Sequence, residues 1–449
     1  MTWSGVGRPA PPATLGPVGA ADDDDADTDD DDPEAAGTPP PEPHAVSTAS
    51  ATVPTAAGVR RFTRASVRRG TDGKGRAPRR RCAGVSSASA DRVVDVVVIG
   101  AGQAGLSTAW ALARQGFEPT TDFVVLDAGD GPGGAWQHRW PSLTVGTTHR
   151  VHDLPGLPFQ PGTDSSRAAE VVPAYFAEYE RTFELPIHRP VRVTSVSRTN
   201  DDRFRVRTDS GDWTARAVVN ATGTWTRPFV PRYPGQELFR GRQLHTVDYR
   251  SPDEFAGQHV VVVGGGASAT QLLGEISRVT STTWVTRRPP VWREGPFDED
   301  AGRRAVAMVE EAVREGRRPG SVVGVTGLLV STPYIRDALD RGVLERLPMF
   351  DRITREGVAW DSPDRFIAAD VLLWATGFRA AVQHLAPLHL RGPGGGIAMD
   401  GTHVAGEPRL HLVGYGPSAS TIGANRAGQS AARQLRRLLR PEAQLPRSA

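Results

Sequence analysis

A chain of 449 residues is long enough for two or three domains, and 38 % hydrophobic with 23 % charged residues is the balance of an ordinary soluble globular protein. Residues 1–92 hold 12 cationic and 13 anionic side chains, leaving 41 against 38 in the remainder, so the chain has no basic footprint for nucleic acid. The single cysteine, Cys82, excludes an intrachain disulfide framework, no run of eighteen apolar residues marks a membrane span, and Lys74, the only lysine, lies in the same first stretch, so Schiff-base chemistry is excluded from the rest.

Residues 1–92 are poor in aromatics and carry an acidic block (Asp22 to Asp32) followed by a basic one (Arg60 to Arg81). Such a segment buries too little apolar surface to offset its chain entropy, and it is expected to be a disordered tail. No basic region runs into an apolar stretch, so a cytoplasmic location without a secretory signal is expected.

Order is expected from Val93. Val93 to Ile99 is a β-branched run that suits a strand buried on both faces of a parallel sheet. It leads into Gly100-Ala101-Gly102-Gln103-Ala104-Gly105, then a helical apolar pattern stopped by Gly116. The next strand, Phe123 to Leu126, ends on Asp127. Strand, glycine turn, helix and acid in that order form a dinucleotide fingerprint. Gly100 permits the tight turn, Gly102 lets backbone approach a pyrophosphate, Gly105 lets helix and strand pack, and Asp127 meets a ribose hydroxyl. A glycine-rich turn in an unrelated α/β sheet is the plainer alternative.

A second unit of the same kind follows. Val260 to Val263 is a strand, Gly264-Gly265-Gly266-Ala267-Ser268-Ala269 the turn, and the strand Thr282 to Thr286 ends on Arg287-Arg288 where the first unit has its acid. Paired guanidiniums bind a 2′-phosphate that a carboxylate would repel, so NADPH is expected here, through Gly264, Gly266, Ser268, Ala269, Arg287 and Arg288. Surface charge is the bland reading of the two arginines. The first site, with its acid, suits FAD, through Gly100, Gly102, Gln103, Ala104, Gly105 and Asp127. Hydride transfer to a flavin is the chemistry the pair makes possible. Between and around the units, Val191 to Val219 alternates with turn signals and reads as a small antiparallel meander. Leu410 to Gly416 reads as a last strand with a glycine turn, and a helix is expected after Gly423.

Further signatures stand between and after these units: Gly133-Gly134-Ala135-Trp136, Ala221-Thr222-Gly223, the FxGxxxHxxxY segment from Phe239 through Gly241 and His245 to Tyr249, and Asp370 to Phe378, which contains Gly377. Together they resemble the class B flavoprotein monooxygenases, the flavin-containing monooxygenase family, over roughly residues 93–435. The resemblance implies an α/β fold of two Rossmann-like dinucleotide-binding domains, the NADPH domain inserted in the FAD domain. The expected limits are 1–92 for the tail, 93–250 and 366–449 for the two parts of the FAD domain, and 251–365 for the NADPH domain. It adds Gly134, Ala135, Trp136, Ala221, Gly223 and Gly377 to the cofactor-binding set. It also implies O2 capture on reduced flavin and transfer of one oxygen atom, through a C4a-hydroperoxyflavin, to a small-molecule substrate.

No side-chain nucleophile or base is required by that chemistry, so no catalytic residue is assigned. His245 is expected to anchor two domains in preference to moving a proton, and Trp136 and Trp140 are divided between lining the flavin and filling the core. One position departs from the family: after Ser142-Leu143, Gly146 stands where an Asn is common, with His149, Arg150 and His152 as possible replacements. An NADPH-dependent flavin oxidase or reductase without oxygen insertion therefore stays open, as does a non-catalytic sensor. Baeyer–Villiger chemistry is disfavoured by Tyr249, where that subfamily usually has Trp. A thioredoxin-reductase type lacks its CxxC pair. Nothing in Val291 to Thr332, which departs from a βαβ rhythm, names a substrate.

Overall fold

The computed structural model describes residues 92–148, 151–294, 299–320 and 327–441. The expected tail lies outside these but for Arg92.

The opening strand, β1 (Arg92–Ile99), places Val96 and Val98 in one core and Val94, Val97 and Ile99 in another. Both faces are covered, which is why its sequence is apolar almost throughout. It leads into α1 (Gln103–Arg114), β2 (Phe123–Leu126), α2 (Ala168–Thr182), β3 (Ile187–His188) and the antiparallel strands β4 (Val193–Arg198), β5 (Phe204–Thr208) and β6 (Trp213–Asn220). β6 also lies parallel to β1, so the expected meander is continuous with the parallel sheet.

The chain then builds β7 (Arg242–His245), β8 (Val260–Val263), α3 (Ala267–Ile276), β9 (Thr282–Thr286), β10 (Trp292–Arg293), α4 (Glu299–Arg314), β11 (Leu328–Leu329), α5 (Pro333–Asp340) and β12 (Arg346–Pro348). A small antiparallel sheet of β13 (Arg352–Ile353), β14 (Gly357–Asp361) and β15 (Asp364–Ala368) comes next, then β16 (Val371–Trp374). The last elements are β17 (Met399–Asp400), β18 (His403–Val404), β19 (Glu407–Leu412) and α6 (Thr421–Leu439). α6 starts three residues earlier than expected because Ser420 caps it, accepting a hydrogen bond from the Gly423 N–H.

Two main sheets result. The first runs β17-β18-β19-β6-β1-β2-β3, with β5 and β4 continuing from β6, and the second is parallel in the order β12-β9-β8-β16-β7. In the second, Val260, Val262, Val371 and Leu373 fill one core while Val261, Val263, Leu372 and Trp374 fill the opposite one. α6 packs on α1 so closely that a Cβ at Gly428 would sit 2.9 Å from the Thr108 N and Oγ1.

The inserted arrangement of two Rossmann-like units is present, but the expected limits at 250/251 and 365/366 do not coincide with the second sheet. β7 precedes the first limit and β16 follows the second, yet both pair within that sheet, β16 against β8 on one side and β7 on the other. The chain crosses between sheets farther out, at two segments paired with each other. Ala381 N donates to Gly223 O at 2.9 Å, Arg379 N to Arg227 O at 2.9 Å and Phe229 N to Gly377 O at 3.0 Å. The expected limits enclose the βαβ repeat with its glycine turn, and the order of the second sheet adds one strand from either side of it. No described helix is long and apolar enough to cross a membrane.

Candidate active site

The first glycine turn is built by contacts a side chain would break. Gly100 has φ +101°, and a Cβ there would lie 2.7 Å from Ala221 O; a Cβ at Gly105 would lie 1.8 Å from Gly100 O. At Gly102 a Cβ would meet nothing within 4 Å, so this face of the turn is open. Gly102 is also the N-cap of α1 and brings no side chain to the first-turn N–H groups. The Gly133–Trp136 segment lies against the same point, Gly134 directing a Cβ position to 3.1 Å from the Gly102 Cα. The structure thus gathers Gly100–Gly105, Gly134–Trp136 and Ala221–Gly223 at the carboxyl ends of β1 and β6, with Ala104 buried and Ala135 half-buried.

Asp127, nearly buried at the end of β2, is already engaged by protein. Its Oδ2 accepts from Ala101 N at 2.6 Å, and its Oδ1 from Gly129 N at 2.9 Å and Arg189 Nε at 3.2 Å. Arg189 also pairs through both Nη atoms with Glu180 at 2.9 and 3.0 Å. A carboxylate has about four acceptor directions, which leaves one for a ribose hydroxyl. Gln103 reaches across the fold, donating through Nε2 to His152 O at 3.1 Å and Asn425 Oδ1 at 3.0 Å, while its buried Oε1 has no protein partner.

The second turn repeats the geometry. Gly264 has φ +142°, and a Cβ would lie 2.2 Å from Ala375 O. Gly266 caps α3 without a side-chain bond and is open to 4 Å. Ser268 is half-buried and Ala269 fully buried on α3. Val263 pairs with Val285, so Arg287 and Arg288 emerge, exposed, just past the strand that flanks the turn. The Thr286 hydroxyl fixes that exit by donating to Arg288 O at 2.7 Å.

The FxGxxxHxxxY residues join elements. His245 donates from Nε2 to Gly377 O at 3.0 Å, its Nδ1 accepts from Val247 N at 3.3 Å, and burial holds the ring below its ordinary pKa. That tautomer follows from the donor on the Nδ1 side. Tyr249 donates to Glu275 Oε2 at 2.8 Å, a carboxylate that also takes the Ser142 hydroxyl at 2.7 Å. Burial and that carboxylate push the phenol well above its usual range. Trp140 is in the core under the second sheet, edge-on to Tyr249 at 6.1 Å; Trp136 is half-buried and packs against the cores of both sheets.

At Gly146 the N–H donates to Asp164 O at 2.9 Å, and a Cβ would lie 2.8 Å from the Asp164 Cβ, so an Asn there requires the facing turn to move. His149 and Arg150 lie outside the described residues. His152 uses its backbone to receive Gln103. Arg189, Asn425 and the Arg139–Trp225 contact taken up below escaped the sequence reading. Their partners stand 62, 322 and 86 residues away, and no local pattern signals them. A cavity of about 620 Å³ lined by Leu238, Arg352, Ile353 and Phe366 includes no residue of either turn.

Both turns therefore fit a dinucleotide: glycines without room for a Cβ on the protein side, open faces on the other, and uncapped helix N-termini. Residues 97–322 match the family model described as pyridine nucleotide-disulphide oxidoreductase. The chain aligns at 37 % identity and TM-score 0.65 with the flavin-containing monooxygenase from Stenotrophomonas maltophilia, covering 78 % of this chain and 99 % of that one.

The chain belongs to the flavin-containing monooxygenases.

Among curated relatives of this family member, an uncharacterized oxidoreductase CzcO-like of Geobacillus kaustophilus is 32 % identical, over 41 % of this chain and 52 % of that protein. A Baeyer-Villiger monooxygenase of Streptomyces coelicolor is 33 % identical, over 49 % of this chain and 42 % of that protein. The chain spans about half the length of the curated relatives it matches. Flavin and nicotinamide cofactors are the common property of these families.

Proposed function

We propose that this family member uses FAD at the first glycine turn and NADPH at the second to transfer one atom of O2 to a soft nucleophilic centre of a small molecule. The observation that carries this is the pairing of two open, uncapped turns in one fold, joined by crossovers that hydrogen-bond to each other. Hydride acceptance and reduction of O2 are chemistry that a bound flavin supplies. The α1 and α3 N–H groups bind the two pyrophosphates, and Asp127 orients a ribose. Gln103 Oε1 offers an acceptor to the first ligand. Arg287 and Arg288 select the 2′-phosphate. Trp136, Trp225 and Phe378 shield the junction from water, Trp225 stacking on Phe378 at 5.3 Å. Residues between the paired crossovers, about 230–374, constitute the nicotinamide domain in this reading.

The test supplies FAD-loaded protein with NADPH, 18O2 and a thioether. Labelled sulfoxide in proportion to NADPH consumed is expected. Stoichiometric H2O2 with no oxygenated product from thioether, amine or ketone replaces the proposal with an oxidase.

A further inference from the structure

Arg139 is a cation held in an aromatic clamp without an anion. Its guanidinium carbon lies 4.6 Å from the Trp225 ring centroid and 5.7 Å from that of Trp136. Its Nε is buried and has no hydrogen-bond partner, and no carboxylate among the described residues pairs with it. Arg189, by contrast, pairs with Glu180 and Asp127, and Arg409 with Glu407 and Asp202; among the described arginines the Nε of Arg346 on β12 is likewise buried without a partner. Burial pulls Arg139 down to about 10. A desolvated guanidinium without a counter-charge is costly, and stacking on indole faces offsets only part of that cost. A guanidinium resting on ring faces still carries its N–H donors in its own plane, and a carboxylate is the anion that such a planar fork takes.

The location narrows the occupant. Trp136 adjoins Gly134, which lies on Gly102 of the first turn. Trp225 lies within the first crossover and stacks on Phe378 of the second, which in turn meets His245 edge-on at 5.0 Å. Arg139 therefore stands at the junction of the two units, where reacting groups must meet. Each pyrophosphate already has its own helix N-terminus, and the 2′-phosphate has Arg287 and Arg288. A third anion site between them is surplus to both cofactors.

Resting on the oxygenase reading above, we propose that Arg139 binds the carboxylate of the substrate, so that the natural substrate is an organic acid whose oxidisable centre is held near the first site.

The experiment compares the full-length, FAD-loaded wild type with Arg139→Gln on (phenylthio)acetate and its methyl ester, following sulfoxide formation. The wild type is expected to favour the acid in kcat/KM by on the order of 10- to 100-fold, the range of a charge-assisted pair. Arg139→Gln is expected to remove that preference through KM, leaving the ester, the FAD content and the KM for NADPH unchanged. No acid preference in the wild type, or an equal loss on acid and ester, overturns the proposal. A rise in KM for NADPH with unaltered acid preference also overturns it, assigning Arg139 to the cofactor phosphates. If neither thioether is oxygenated, the oxygenase reading fails separately and binding decides: saturable quenching of tryptophan fluorescence by phenylacetate, lost in Arg139→Gln, supports the carboxylate site, and its absence in the wild type overturns it.

Discussion

At the scale of single residues, the proposed nicotinamide site makes separable demands at its two ends. Arg287 and Arg288 are argued to read only the 2′-phosphate, so the double variant Arg287→Ala/Arg288→Ala is expected to raise KM for NADPH on the order of 10- to 100-fold and to leave KM for NADH nearly unchanged. Steady-state kinetics with both donors check this; an equal rise for NADH removes the arginines from phosphate recognition. Gly264 makes a different demand. A methyl group there meets backbone, at 2.2 Å from Ala375 O, in a conformation with φ +142° that side chains rarely adopt. Gly264→Ala is expected to abolish saturable reduction by NADPH while the protein still purifies yellow with its flavin. Unaltered NADPH kinetics would show that the turn yields without consequence.

At the scale of elements, His245 and Tyr249 of the motif from Phe239 to Tyr249 tie separate segments together. The Tyr249 hydroxyl and the Ser142 hydroxyl converge on Glu275 of α3, so a loop after the first glycine unit and the motif of the second both hold one helix. Tyr249→Phe removes one donor from a partly buried carboxylate and is expected to cost about 1–3 kcal/mol of stability, read by urea denaturation. Flavin content at 25 °C is expected to hold. Loss of turnover without loss of stability would instead give Tyr249 a role at the reacting centre. The same ties explain why His245 reads as a motif residue in sequence. Its ring is hydrogen-bonded on both nitrogens, to Gly377 O and from the Val247 N–H.

Over the whole molecule, buried histidines set the acid limit. Burial lowers His384 to about 4 and His411 to about 3. His384 Nε2 meets Asn220 Oδ1 at 2.7 Å beside the first crossover, and His411 meets Thr402 across β19. Above pH 6.5 both are neutral in folded and unfolded chains, and their contribution is complete. Below it the unfolded chain takes up protons that the fold refuses, so stability falls by roughly 1.4 kcal/mol per pH unit for each histidine until the folded pKa is reached. The urea midpoint is expected to drop steeply from pH 6.5 towards pH 4.5, with a shallower slope in His411→Gln. A flat profile would mean that these rings protonate without unfolding.

Much of this was written along the chain. Continuous β-branched runs, glycines at fixed spacing and the acid or arginines after the second strand of each unit are local patterns, because a parallel strand covered on both faces and a backbone pressed against a phosphate constrain neighbouring residues directly. From them the α/β class and the two Rossmann-like units are legible; the inserted order and the family came through the resemblance carried by the motifs between and after those units. What local pattern cannot carry is a contact between distant segments. That β7 and β16 close the second sheet, that Arg189 shares Asp127 with the first turn, and that Trp136 and Trp225 clamp Arg139 were all decided by tertiary structure. Each depends on residues brought together by sheet order and crossover pairing, and a periodicity of two or of 3.6 residues records only which way a side chain faces, not what it will meet.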